Sequence, residues 1–171
     1  MKKTILLLII FALFSTHIRA QTRAEKKEEK EQKAQKNYEE MKELVNSKSF
    51  EFTAIWISTY GKRINIASGS NSIEISQDST KAAMQYFGTV TSIGFRGSEG
   101  VNFDNVMKNY EVKFDDHKKK INISFSVKNK SENFDINLSI NKTGFTYVDV
   151  YSNNKSNVTY DGNIATLKLK E

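Results

Sequence analysis

Histidine and cysteine, which serve widely in acid–base and metal chemistry, are scarce in this sequence of 171 residues. His117 stands in a polar run beside Asp115 and Asp116, which suggests a surface metal site or a proton-transfer group. A zinc site needs three or four convergent ligands, and the sequence has only one other histidine, His17, and no cysteine. We therefore interpret His117 as part of a hairpin tip, and we predict no catalytic residue, no metal site and no cofactor.

The most irregular stretch of the sequence covers residues 94–104, where three glycines are separated by two residues each. It lacks the Gly-Lys-Ser/Thr ending of a phosphate-binding loop and the glycine spacing of a dinucleotide site. We interpret it as a long connection whose glycines supply positive φ angles. An aromatic and an arginine on a loop also suit recognition. The candidate recognition residues are Phe95, Arg96, Gly97, Gly100 and Phe103.

The first twenty residues have the pattern of a secretory signal peptide. Lys2 and Lys3 precede an apolar run at residues 5–14, and Ala20 provides a small residue for cleavage. The run is about half as long as a membrane-spanning helix requires. No cysteine follows that could carry a lipid. We expect cleavage near Ala20, which leaves a chain without a membrane anchor.

Cleavage would also halve the net charge of +6, because Lys2, Lys3 and Arg19 leave with the signal. Nucleic-acid binding requires a concentrated basic face. The densest basic run that remains, residues 118–120, has the pattern of a hairpin turn. We therefore expect no nucleic-acid partner.

The segment 21–47 is rich in Glu, Lys, Gln and Ala, which predicts a charged helix. Its apolar residues come late, at Tyr38, Met41, Leu44 and Val45, so we expect the last two turns to dock on the domain. A coiled coil or partner-binding helix is the alternative. It would need three or four apolar heptads, and the sequence has one.

From residue 48 to residue 171 the apolar residues alternate with polar ones, most clearly at 121–127 and 134–140. Runs of this kind, joined by short polar turns, predict consecutive antiparallel strands. We predict a single α+β, mostly β domain: an antiparallel β-meander of roughly eight strands, as a curved sheet or an incomplete barrel. Ala82, Ala83, Met84 and Phe87 have helical spacing, which suggests one short helix within residues 80–87.

Several fragments, taken in order and over about residues 44–164, resemble the secreted Bacteroidota family called domain of unknown function 4251. The fragments are Phe50-Glu51-Phe52-x-Ala54, Tyr86-Phe87-Gly88, Gly97-x-x-Gly100-Val101-x-Phe103-Asp104, Gly144, Ser152-Asn153-Asn154 and Tyr160-x-Gly162-x-Ile164. The resemblance implies a Gram-negative envelope address, hence the periplasm. The family has no established activity, so the resemblance implies no catalytic residues.

Three classes of function fit this sequence. The leading hypothesis is a non-enzymatic periplasmic module that binds a small ligand or an envelope protein, because no catalytic constellation is evident. An inhibitor of an envelope enzyme, acting through aromatic turns and the charged helix, is the alternative. A hydrolase that uses two of the scattered carboxylates is the third. The sequence leaves the oligomeric state open.

Overall fold

The protein is mostly antiparallel β-structure with one N-terminal helix, as predicted. The computed structural model describes residues 2–91, 100–130 and 132–167, with side chains from residue 23 onward. The elements in chain order are α1 (Lys2–Asn46), β1 (Ser49–Thr59), β2 (Lys62–Asn65), β3 (Ser72–Ser76), β4 (Ser79–Met84), β5 (Val101–Val106), β6 (Lys108–Asp115), β7 (Lys120–Asn129), β8 (Glu132–Asn141), β9 (Phe145–Ser152) and β10 (Val158–Thr166). The chain divides into two compact units, Met1–Lys36 and Asn37–Glu171.

The described strands form one sheet, in the order β5-β4-β3-β1-β10-β9-β8-β7-β6, with β2 paired to β1. Its two end strands, β5 and β6, are consecutive in the chain and are separated by the buried Met107. Side chains also join β5 to β7: Asn105 Nδ2 donates to Lys128 O at 2.9 Å, and Asn129 Nδ2 donates to Asn102 O at 2.7 Å. The sheet is therefore a nearly closed, barrel-like structure, which confirms the predicted incomplete barrel.

Alternate residues of the strands point into the barrel, as the period-two pattern predicted. In β7 and β8 the inward-facing set is almost fully buried, whereas most of its chain neighbours are exposed or half-buried. The buried apolar residues of these two strands are Ile121, Ile123, Phe125, Val127, Phe134, Ile136, Leu138 and Ile140. Branched aliphatic and phenylalanine side chains thus fill the interior.

Strands β1 and β10, the first and last in chain order, pair along most of their length, and a β-bulge interrupts the pairing. The register shifts between Ala54 and Trp56. The extra residue at the bulge exchanges the inward-facing and outward-facing positions along β1. Ala54 and Ile57 are therefore both buried, although they are three positions apart. At this point the backbones come so close that a Cβ atom on Gly162 would collide with Thr53 O. Only glycine fits there without moving β1.

The end of α1 packs against one end of the barrel. Tyr38 and Val45 are buried in the core, and Met41 packs beside them. The Tyr38 hydroxyl donates to Asp116 Oδ1 at 3.0 Å in the β6–β7 turn. Gly144, at a φ of +83°, lets the β8–β9 turn approach Met41. The predicted docking of the last two helical turns is confirmed.

The prediction of a short helix within residues 80–87 is wrong. These residues begin with strand β4, which pairs with β3 on one side and β5 on the other. Thr80, Ala82 and Met84 are buried while Lys81 and Ala83 are exposed, so the period is two. The helical spacing in the sequence arose because Ala82 and Ala83 are adjacent and both apolar, although only Ala82 faces the core.

Two further expectations differ from the structure in extent. The described chain has ten strands rather than eight, because β4 and β5 were not recognised as strands. Helix α1 begins at Lys2 rather than near residue 22. No glycine or proline occurs in residues 1–46, so the sequence contains no residue that would end a helix between the apolar run and the charged segment.

Replacing Phe125 or Leu138 by alanine should lower the free energy of unfolding by roughly 2–5 kcal/mol. Phe125 is 3% exposed and Leu138 is 1% exposed, so each replacement leaves a cavity in the core. Urea denaturation measures the change. Phe114→Ala is the control. Because Phe114 is 40% exposed, its replacement should lower the free energy of unfolding much less. Equal losses at all three positions would contradict the assigned strand facing.

Alkaline pH should destabilise the protein through Tyr38. Burial, and next the bonded Asp116 carboxylate, raise the pKa of Tyr38 to about 12, whereas an unfolded tyrosine has a pKa of about 10. The native state therefore binds more protons between these values, and the free energy of unfolding falls as the pH rises through them. Urea denaturation at several pH values should show Tyr38→Phe less stable than wild type at neutral pH but less affected between about pH 10 and 12. If the free energy of unfolding falls equally with pH in both proteins, the pKa of Tyr38 does not change on unfolding and the prediction is wrong.

Candidate functional site

A buried ion pair lies at the end of the barrel opposite the β6–β7 and β8–β9 turns. Lys155, in the turn after β9, places its Nζ 3.0 Å from Glu132 Oε2 at the start of β8, and both side chains are almost fully buried. Lys155 Nζ also donates to Gly100 O at 2.7 Å, and Ser152 Oγ donates to Glu132 Oε1 at 2.7 Å. The ammonium group and the carboxylate group therefore each make more than one polar contact, as a buried ion pair requires.

Two aromatic rings stand beside the Lys155 ammonium group. Its Nζ lies 5.6 Å from the centroid of the Tyr86 ring and 5.5 Å from that of Phe134. A cation within about 6 Å of a ring face is attracted by the ring quadrupole. The ammonium group thus connects four segments of chain: the turn after β9, the start of β8, the start of β5 and the segment after β4.

The Tyr86 hydroxyl ties the segment after β4 to the turn that carries Lys155. It lies 2.8 Å from Ser156 Oγ and 2.9 Å from Thr89 O. Ser156 N donates to Thr89 O at 2.9 Å, and Thr89 N donates to Ser156 Oγ at 3.1 Å. A Cβ atom on Gly88 would collide with the Tyr86 hydroxyl and with Ser156 Oγ, so glycine is required for this closure. This explains why an aromatic residue and a glycine are spaced as in Tyr86-Phe87-Gly88.

An open cleft of about 440 Å³ lies against this network. The described residues that line it are Ser70, Ala83, Met84, Gln85, Tyr86, Phe87, Gly100 and Asn102. None of these lining residues is charged, and Phe87 is 47% exposed. The cleft therefore combines aromatic and aliphatic surface with amide groups.

A buried asparagine fixes one wall of this cleft. Asn71 is 1% exposed; its Nδ2 donates to Ile66 O at 2.9 Å, and its Oδ1 accepts from Gln85 N at 2.7 Å. The hydroxyl of the buried Tyr160 donates to Gln85 O at 2.7 Å. Both backbone polar groups of Gln85 are thus held from inside the barrel, which leaves its side chain to face the cleft.

The predicted recognition residues are placed as follows. Gly100 borders the cleft, and its carbonyl accepts from Lys155. Phe103 lies in β5, is 2% exposed and packs on Phe134 with ring centroids 5.4 Å apart, so its side chain belongs to the core rather than to a recognition surface. Phe95, Arg96 and Gly97 lie outside the described residues. Recognition by those three residues stays a prediction.

His117 lies in the turn between β6 and β7 and is exposed, as expected of a hairpin tip. In the described part of the chain, no group of three or more His, Cys, Asp or Glu residues could hold a metal ion. Residues 118–120 end the same turn, and Lys119 has a φ of +52°.

A second groove, of about 330 Å³, crosses the outer face of β6 to β9. Glu111 and Asp149 both border it. Lys113 Nζ lies 3.1 Å from Glu111 Oε1, and the Thr159 hydroxyl donates to Asp149 at 2.5 Å. The carboxylate-based hydrolase stays a prediction, and this groove is where it would apply.

Sequence reasoning missed Lys155, Glu132 and Asn71. Each stands in a polar stretch whose composition is typical of an exposed turn. The one usable signal was the resemblance itself, because Tyr86, Gly88, Gly100 and the run 152–154 are far apart in sequence and meet around this ion pair.

Comparison with known proteins gives a family match, similar solved structures and one negative result. The model of a family described as domain of unknown function (DUF4251) matches residues 32–164. The crystal structure of a DUF4251 family protein from Bacteroides eggerthii is similar to this chain, with a TM-score of 0.59 and 18% identity over 76% of this chain and 87% of the other. No curated protein matches. Within the described residues, no helix combines the length and the hydropathy of a membrane span.

Breaking the buried ion pair should be far more damaging than removing it. Lys155→Ala leaves the Glu132 carboxylate buried without its cation, which should cost about 3–5 kcal/mol of unfolding free energy. The double variant Lys155→Met/Glu132→Leu should lie closer to wild type, because no charge remains buried. Urea denaturation distinguishes the two.

Lys81→Ala is the matched control. Lys81 pairs with Asp104 at 3.5 Å, but both side chains are largely exposed, so the loss should be about 0–1 kcal/mol. A Lys155→Ala loss as small as that of Lys81→Ala would show that the buried pair has little structural role.

Proposed function

This chain belongs to the DUF4251 family, and we propose that it acts in the periplasm as a non-enzymatic binding module that takes a ligand in the cleft beside Lys155. The signal-like pattern of residues 1–20 supports a periplasmic location, as does the family's occurrence in Bacteroides, a Gram-negative source. Zero cysteines also leave the chain without a site for a lipid anchor.

The observation that carries this proposal is the rigid construction of an open cleft. Its walls are held by buried polar groups: the Lys155–Glu132 pair fixes Gly100, and Asn71 fixes Gln85. Such a network contributes little net stability compared with apolar packing, but it specifies one geometry. Binding sites gain affinity when their walls are ordered before the ligand arrives.

The chemistry of the lining favours a short, uncharged peptide segment as the ligand. The side-chain amides of Gln85 and Asn102 each offer donors and an acceptor, which match the N–H and C=O of a peptide group. The half-exposed Phe87 ring, with Met84, offers apolar surface to a side chain of the ligand. No described lining residue offers a charge to pair with an ionic ligand.

Titration of the ¹⁵N-labelled protein with neutral peptides, acetylated and amidated at their ends, tests this function. We expect amide shift changes at Gln85, Phe87 and Asn102. Phe87→Ala should weaken binding about tenfold, since burying a phenylalanine side chain contributes roughly 1.5–3 kcal/mol.

Phe114→Ala removes a similarly exposed ring from β6 and should leave the affinity unchanged. Shift changes confined to other surfaces, or none at all, would contradict the proposed cleft. Shift changes at the cleft caused by a neutral saccharide, and not by the peptides, would contradict the proposed ligand.

A further inference from the structure

Strand β6 ends the sheet and has one free edge. In the described part of the chain, β6 pairs only with β7. Its exposed residues include Glu111, Lys113 and Phe114, while Val112 is half-buried. A free edge presents unpaired N–H and C=O groups, which are a template for another strand.

The first part of β6 is shielded from such pairing and the second part is not. Asn109 has a φ of +54°, and the β6–β7 register shifts between Lys108 and Glu111. Irregularities of this kind turn an edge away from other chains. From Glu111 to Asp115 each residue pairs in turn with β7, so this segment is a regular strand with an open side.

The sequence of this edge is complementary to itself in one antiparallel register. Pairing two copies about Val112 places Glu111 of each copy opposite Lys113 of the other, and Tyr110 opposite Phe114. Opposite charges and aromatic pairs across strands are stabilising. In an antiparallel pair, residues directly opposite each other point to the same face of the sheet. Only registers that place inward-facing residues opposite inward-facing residues are therefore allowed.

The neighbouring registers of the same parity are less favourable. Pairing about Glu111 places two glutamates opposite each other, and pairing about Lys113 places two lysines opposite each other. Like charges directly opposite are destabilising. Pairing about Phe114 places Lys113 opposite Asp115, but only residues 113–115 then find partners within the strand, because β6 ends at Asp115.

We propose that two copies of this chain associate through β6, antiparallel and centred on Val112, to form a two-fold symmetric dimer with a sheet continuous across both. The same surface serves both copies, as in the commonest homodimers. Glu111 and Lys113 form intermolecular ion pairs on the outer face. On the inner face, Phe114, which is 40% exposed in one copy, is covered by Tyr110 of the second copy. The inference is independent of the proposed ligand cleft.

Charge reversal tests this assembly, measured by sedimentation velocity at several concentrations of the full chain. We expect wild type to dimerise. Glu111→Lys and Lys113→Glu should each raise the dissociation constant about tenfold or more, because two attractive pairs become repulsive. The double variant Glu111→Lys/Lys113→Glu should dimerise again, since the complementary pattern is restored with its signs exchanged.

Mixing the two single variants is the decisive step. A Glu111→Lys chain and a Lys113→Glu chain complement each other across β6 and should form a heterodimer, although neither pairs with itself. The 3.1 Å ion pair between Glu111 and Lys113 within one chain cannot produce this result. Far-ultraviolet circular dichroism confirms that each variant is folded.

Lys81→Glu is the matched control, a charge reversal on the outer face of β4 that should leave the dimer unchanged. A wild-type chain that stays monomeric at every concentration would overturn the proposal. Dimers that persist in both single variants, or that dissociate equally in Lys81→Glu, would also overturn it.

Discussion

The bend at Met107 makes the two ends of the sheet, β5 and β6, consecutive parts of one chain. Its amide donates to Asp78 O at 2.7 Å, on the turn between β3 and β4, so the bend is held by the sheet that it closes. The closed sheet encloses an interior that is only wide enough for the inward-facing side chains. Phenylalanine and isoleucine side chains fill that space. Space for a ligand therefore exists only at the ends or on the outside of the barrel.

The two ends of the barrel are completed in different ways. At one end, Tyr38 and its neighbours on α1 supply a largely apolar cover, and the Tyr38 hydroxyl donates to Asp116 and to Lys120 O. At the other, Lys155 and Glu132 bury opposite charges among aromatic rings. Apolar packing tolerates small shifts, whereas a buried ion pair keeps its bonds only in one arrangement. The polar end is thus the end at which a cleft can keep a fixed shape.

Much of the fold could be predicted from local pattern, because side-chain alternation reports directly which face of a strand is buried. The strands at 121–127 and 134–140 followed from that rule. Strand β4 did not, since Ala82 and Ala83 are small enough to fit either a helix or a strand. The bulge at Ala54 was invisible because its cause is the partner strand, where Gly162 admits a close approach. The site depended on Lys155 and Glu132, and a charged residue in a polar stretch carries no local sign of burial.

The pairing of β1 with β10 also has a kinetic consequence. These strands are the first and last in chain order, so their contacts join residues more than a hundred positions apart. Contacts of such long range slow folding, because the loop between them must be ordered first. The barrel cannot close until residues 158–166 have been synthesised. A chain that completes its core so late stays unfolded while it is being made, and its apolar strands remain exposed to other molecules for all of that time.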